Sequence, residues 1–159
     1  MSKKLEVLLE EYSESHRNST NKLIHWICVP LIFWAIVALL YSIPNEILVN
    51  LLGDYFFSNW AVLIMIPVLI YYLILSVSTA VGMLFFIGAC LYISELLFHC
   101  SCFPLWGIAL IVFVLAWIGQ FYGHKIEGKK PSFLKDIQFL LIGPAWLMHF
   151  IYKRIGVNF

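Results

Sequence analysis

No lysine or arginine occurs between Lys22 and Lys125. Four basic residues precede that stretch (Lys3, Lys4, Arg17, Lys22) and six follow it (Lys125, Lys129, Lys130, Lys135, Lys153, Arg154). Charge is scarce throughout, at 12% of residues, whereas soluble domains run at roughly a quarter. With 62% hydrophobic residues, this scarcity excludes an ordinary water-soluble domain and points to an integral membrane protein. A net charge of +1 offers nucleic acid no attraction. Residues 1–22 lack an apolar core followed by small residues, so a cleavable signal peptide is not expected and the first span itself would direct insertion. Repeats and low-complexity segments are absent.

Cysteines number only four. Cys28 and Cys90 fall inside apolar runs and read as small core residues. Cys100 and Cys102 form a C-x-C without zinc-knuckle spacing or a second pair, and read as incidental, with a disulfide outside the cytoplasm as the alternative.

The placement of charge predicts a topology. Lys and Arg collect on cytoplasmic flanks, so both termini are expected in the cytoplasm, with an even number of spans between them. The compact chain fits a bacterial inner-membrane protein. The expected fold is an all-α integral membrane protein, one domain over residues 1–159. It has four transmembrane helices, an N-terminal amphipathic helix and a C-terminal re-entrant or interfacial helix. Leu5, Leu8, Leu9 and Tyr12 form an apolar stripe opposite Glu6, Glu10, Glu11 and Glu14, which suits a helix at the membrane surface. The first span covers about 23–41, long enough at ~1.5 Å per residue for a ~30 Å hydrocarbon core. Residues 42–59 suit an outer loop with a short interfacial helix. Trp60 to Phe98 is too long for one span and divides at Ser76–Thr79 into about 60–76 and 79–98. The fourth span is about 103–121. The apolar stretch within about 133–152 contains Gly143-Pro144 and is short for a crossing.

Two polar motifs sit at the ends that this topology brings to one membrane face. The first holds His16, Arg17, Asn18, Asn21, Lys22 and His25. The second holds Gln120, Gly123, His124, Glu127, Lys129, Lys130 and Pro131. His16 and His25 are nine positions apart, about 180° around a straight helix. They converge only if the chain turns between them, and Asn18-Ser19-Thr20-Asn21 supplies a turn and a helix cap. Gln120, His124 and Glu127 follow i, i+4, i+7 spacing and share one face if the helix continues past Gly123. Imidazole and carboxylate together suit Zn, Fe, Ni or Cu(II), so the residues alone leave the metal open. Each histidine alone also reads as a structural group at a helix end, and the lysines and arginines as anchors near lipid phosphates. Glu95 and His99 have i, i+4 spacing but belong to the opposite membrane face. His149, on the tail helix, falls on the cytoplasmic side if that helix is re-entrant; it reads first as lining a polar cleft and second as a further candidate for the site.

At these motifs the chain resembles the 2-hydroxy fatty acid dioxygenases of fatty-acid α-oxidation. The resemblance rests on His16-Arg17-Asn18-x-x-Asn21-Lys22-Leu23-Ile24-His25 with Pro30 in the first span. It continues in Trp117-Ile118-x-Gln120-Phe121-x-Gly123-His124, Lys129-Lys130-Pro131 and Leu140-x-x-Gly143-Pro144. Ser19 replaces the proline that many members carry, and Glu127 falls one place earlier than the fungal glutamate. The resemblance implies a multi-pass membrane enzyme whose Fe(II) is held by His16, His25 and His124. It implies that O₂ shortens a 2-hydroxy fatty acid by one carbon, releasing CO₂. Within that reading Arg17, Lys129, Lys130 and Asn21 are the substrate-binding candidates, Glu127 and Gln120 the catalytic ones, and Asn21 and Gln120 also suit orienting roles. His99 and His149 are possible additions.

Two other classes compete with this reading. Membrane di-iron hydroxylases use eight or more histidines and this chain has five, which sets them aside. A small lipid-binding or transporter-like protein is the alternative. Transporters place polar or broken helices near the midplane, whereas here the polar residues gather at one surface.

Overall fold

The computed structural model describes residues 3–14, 16–128 and 133–156, with 133–138 as backbone alone. Among them are seven helices and no strand: α1 (Lys3–Glu14), α2 (Ser19–Tyr41), α3 (Glu46–Leu52), α4 (Trp60–Leu75), α5 (Val77–Cys100), α6 (Leu105–Glu127) and α7 (Phe133–Ile155).

Local signals account for the breaks. Asn18 caps α2, its side chain accepting from the Thr20 and Asn21 amides, which satisfies two of the amides a helix start leaves unpaired. Ser76 alone separates α4 from α5. It is extended (φ −169°, ψ 131°) and its side chain accepts from Thr79 N, so it caps the second helix. Gly128 ends α6 with φ 72°, a left-handed conformation that glycine adopts without a Cβ penalty.

α2, α4, α5 and α6 form an up-and-down bundle. α2 is its axis, packing most extensively along α6 and also against α4, α5 and α7. Phe33, Ala35 and Val37 of α2 meet Met65 and Tyr72 of α4, Met83 and Ile87 of α5, and Ala109 of α6 in the main core. α6 comes unusually near α2 because it presents glycines there: a Cβ on Gly119 would lie 2.7 Å from Cys28 Sγ.

α1 and α7 cover one end of this bundle. The stripe of Leu5, Leu8, Leu9 and Tyr12 is buried with Val29 of α2, Leu75 of α4, and Ile142, Trp146 and Leu147 of α7. The apolar face of α1 therefore faces protein and not, as its pattern suggests, a membrane surface. Periodicity identifies an apolar face without identifying what covers it. Two tyrosines pin α7 across the α4–α5 turn: Tyr72 Oη donates to Leu141 O (2.6 Å) and Tyr152 Oη to Ser78 O (2.8 Å).

The outer surface of the bundle is apolar. Trp106, Leu110, Ile111, Val114, Leu115 and Ile118 of α6 are exposed, as are Ile66, Ile70 and Ile74 of α4. Exposed apolar faces of this extent mark a surface made for a partner or a membrane. α2, α5 and α6 are long and apolar enough to cross a bilayer, and α4 is a shorter apolar helix of 16 residues. At ~1.5 Å per residue α4 is about 24 Å long, against a hydrocarbon core of ~30 Å.

Candidate metal centre

The cap at Asn18 turns the chain sharply enough that His16 folds back over the first turns of α2. The imidazoles of His16 and His25 then stand 4.2 Å apart, centroid to centroid, at 78°. α6 continues past Gly123 to Glu127, and it delivers His124 to the same place. Its ring is 5.6 Å from His16 and 5.0 Å from His25. All three are buried, at 2%, 1% and 9% exposure respectively, and one nitrogen from each lies within 4.8 Å of the others. Nitrogens sharing one ion at ~2.1 Å each stand no more than about 4 Å apart, so the cluster is within about an ångström of closing on a metal.

Hydrogen bonds orient two of the rings. His16 Nδ1 pairs with Tyr12 O at 2.5 Å and His25 Nδ1 with Asn21 O at 2.9 Å. A carbonyl only accepts, so both Nδ1 atoms carry the proton and both Nε2 atoms keep a lone pair. His16 Nε2 is buried without a hydrogen-bond partner. A buried acceptor left unmatched is costly, and a cation at this point would remove the cost. The donor set fits a divalent transition metal. Burial pushes the His16 pKa down to about 4, outweighing the hydrogen bond to Tyr12 O, which raises it; nearby His124 lowers it further. His16 is therefore neutral at physiological pH, the state a metal ligand needs.

Asn21 and Glu127 stand beside the cluster. Asn21 is fully buried. Its carbonyl orients His25 and its Nδ2 donates to Glu127 Oε2 (3.0 Å). The Glu127 carboxylate also accepts from the backbone amides of Arg17 (2.9 Å) and Asn18 (3.0 Å). Gln120 is half-buried one turn before His124. Arg17 is exposed and lines an open cleft of about 700 Å³ between α1 and α7, with Glu10, Ser13, Trp146, His149 and Lys153. His149 thus faces the cleft, and Trp146 stands between that cleft and His16. Lys129 and Lys130 lie outside the described residues.

His99 is not brought in. The rings of Tyr41 and Phe98 meet at 5.9 Å, which puts His99 at the far end of α2, about 24 Å of helix from His25. Cys100 and Cys102 are exposed free thiols at that same end.

Two contributors escape the sequence reading. Tyr12 stacks on His16 (4.1 Å, 15°), and its carbonyl accepts from His16 Nδ1. Trp146 lies 5.5 Å from His16 and donates from Nε1 to Ser13 Oγ (2.8 Å). The apolar stripe of α1 marks Tyr12 as buried, but nothing local marks Trp146.

No curated protein and no solved structure matches the chain. The family described as 2-hydroxy-palmitic acid dioxygenase Mpo1-like matches residues 2–155, a span that takes in the His16 turn, His25, the end of α6 and α7. The chain belongs to the 2-hydroxy-palmitic acid dioxygenase Mpo1-like family.

Proposed function

We propose that the protein is an Fe(II)-dependent dioxygenase that shortens 2-hydroxy fatty acids by one carbon. The reaction consumes one O₂ and gives the fatty acid one carbon shorter, CO₂ and water, which balances every atom. The observation that carries the reading is the trio of buried imidazoles, His16 Nε2 unpartnered among them, at one end of an apolar helical bundle in a chain of this family.

In this reading His16, His25 and His124 hold the iron. When bound, the iron supplies the redox capacity that lets O₂ react with the substrate. Three protein ligands leave positions open for small molecules. Tyr12 O and Asn21 O fix the imidazole tautomers, the usual task of groups around a metal site. Tyr12 and Trp146 wall His16 with aromatic surface and keep bulk water from it. Arg17, with Lys129 and Lys130, offers positive charge to the carboxylate. Gln120 is an orienting group one turn from His124. The bundle lies in the bilayer with α2, α4, α5 and α6 as its four spans and both termini in the cytoplasm, the bacterial inner membrane being the expected setting. The acyl tail then lies among the spans and the acid group at the histidine end.

The test is turnover. Anaerobically purified protein loaded with Fe(II) receives 2-hydroxypalmitate and air, and products are read by mass spectrometry with His124→Ala alongside. Pentadecanoic acid from the wild type alone supports the reading. Folded, iron-loaded protein that converts no 2-hydroxy acid of any chain length sinks it. Absence of both product and bound metal would favour a non-enzymatic lipid-binding protein.

A further inference from the structure

We propose that Glu127 is a positioning residue whose carboxylate latches the His16 turn onto the end of α6 and so sets the spacing of the three imidazoles. The inference rests on the metal-binding reading of the histidine cluster. It reassigns a residue that the sequence pattern marks as catalytic.

The carboxylate is already engaged on both oxygens. Oε1 accepts from Arg17 N at 2.9 Å and Asn18 N at 3.3 Å. Oε2 accepts from Asn18 N at 3.0 Å and Asn21 Nδ2 at 3.0 Å. An ionised carboxylate has about four acceptor positions, and three N–H donors, with that of Asn18 shared between the two oxygens, occupy most of them. Among the described residues, the group able to share one metal ion comprises the three histidines without Glu127.

The donors explain why a carboxylate is needed. Arg17 N and Asn18 N precede α2 and have no helical carbonyl to bind. The start of α2 also carries partial positive charge, which a nearby anion stabilises. An amide in place of the acid would turn an N–H₂ toward one of these donors, so Glu127→Gln is a poor substitution despite its matching shape.

The latch reaches all three histidines. His16 directly precedes Arg17. Asn21 donates to Glu127 and orients His25 through its carbonyl. His124 sits one turn before Glu127 on the same helical face. Gly128 closes the helix immediately afterwards, so the phase of that last turn is fixed and Glu127 and His124 move together.

The experiment compares full-length wild type with Glu127→Gln, Glu127→Ala, Glu127→Asp and His124→Ala in lipid nanodiscs. Co(II) is titrated as the probe metal, and amide exchange is followed in the peptide covering residues 13–21 without metal. For Glu127→Gln and Glu127→Ala we expect native helicity and, at saturation, native Co(II) bands in position and intensity. Their affinity should fall ~10- to 100-fold, the usual cost of losing a group that orients ligands, and exchange should quicken. Glu127→Asp, which keeps the charge, should recover part of both. His124→Ala should change the bands themselves. A Glu127→Gln spectrum altered like that of His124→Ala would make Glu127 a ligand and overturn the proposal. Unchanged affinity and exchange would overturn it as well. If Glu127→Ala does not fold, Glu127→Gln carries the comparison. Wild type that binds no Co(II) would sink the metal reading, and the exchange data would still decide the latch.

Discussion

Gly123 of α6 lies so close to Asn21 of α2 that a methyl group on it would overlap Asn21 Oδ1. That Cβ would also stand 3.4 Å from His25 Cε1. The glycine is what lets the helix carrying His124 reach the helix carrying His25. Alanine favours a helix interior over glycine by about 1 kcal/mol, while overpacking costs about 1–3 kcal/mol. Gly123→Ala should therefore change overall stability modestly. It should displace Asn21, and with it the acceptor that orients His25. We expect a Co(II) affinity at least ~10-fold weaker in protein of near-native thermal midpoint. Native affinity would show that the close approach has no bearing on the site.

Trp146 couples α7 to α1 beside His16. Trp146→Phe keeps an aromatic ring but removes the Nε1 hydrogen bond to Ser13 Oγ. Loss of one such bond costs about 1 kcal/mol. Trp146→Ala adds a large cavity at a residue only 1% exposed, a loss of about 3–5 kcal/mol. Denaturation in mild detergent should rank wild type, then Phe, then Ala, with the Ala variant also losing metal. An Ala variant as stable as the Phe variant would count against this packing role.

His16 makes stability depend on pH with a definite sign. Its folded pKa is lowered to about 4 from an ordinary value of 6.5. The unfolded chain therefore binds a proton that the folded chain does not as pH falls below about 6.5. The contribution of neutral His16 is fully present above that value and is lost progressively down to about pH 4. A difference of this size corresponds to about 3 kcal/mol. Metal-free wild type should lose stability between about pH 6.5 and about pH 4.5 more steeply than His16→Gln. Parallel profiles for the two would refute it.

Tyr72 anchors α7 from within the bundle. It is fully buried, and its hydroxyl donates to Leu141 O. Tyr72→Phe leaves that carbonyl without this donor and should cost about 1–3 kcal/mol. Proteolysis should then begin within α7. Cleavage kinetics identical to wild type would show that the Tyr72 hydrogen bond does not hold α7.

Much of the helical framework can be read from the chain. The Asn18–Asn21 cluster reads as a stop and a cap, and Asn18 is the cap. The break in the Trp60–Phe98 run falls at Ser76, the first hydroxyl of its serine–threonine cluster. Gln120, His124 and Glu127 do share a continuous helix. The role of Glu127 is not readable, because a carboxylate near histidines suits ligand, base and hydrogen-bond acceptor alike. Its partners lie more than a hundred positions away.

The class of this protein is already legible in its chain. Long uncharged apolar runs are compatible with a bilayer only as helices that satisfy their own backbone hydrogen bonds. The chain also states which side chains are available for chemistry and the family in which such motifs occur. Three further features come from the packed fold: three imidazoles share one buried point with His16 Nε2 unpartnered, Glu127 faces the His16 turn, and Trp146 walls the site. Such meetings depend on how near and at what rotation two helices pack. Gly119 and Gly123 set that approach against Cys28 and Asn21, and local sequence does not encode which helix lies opposite.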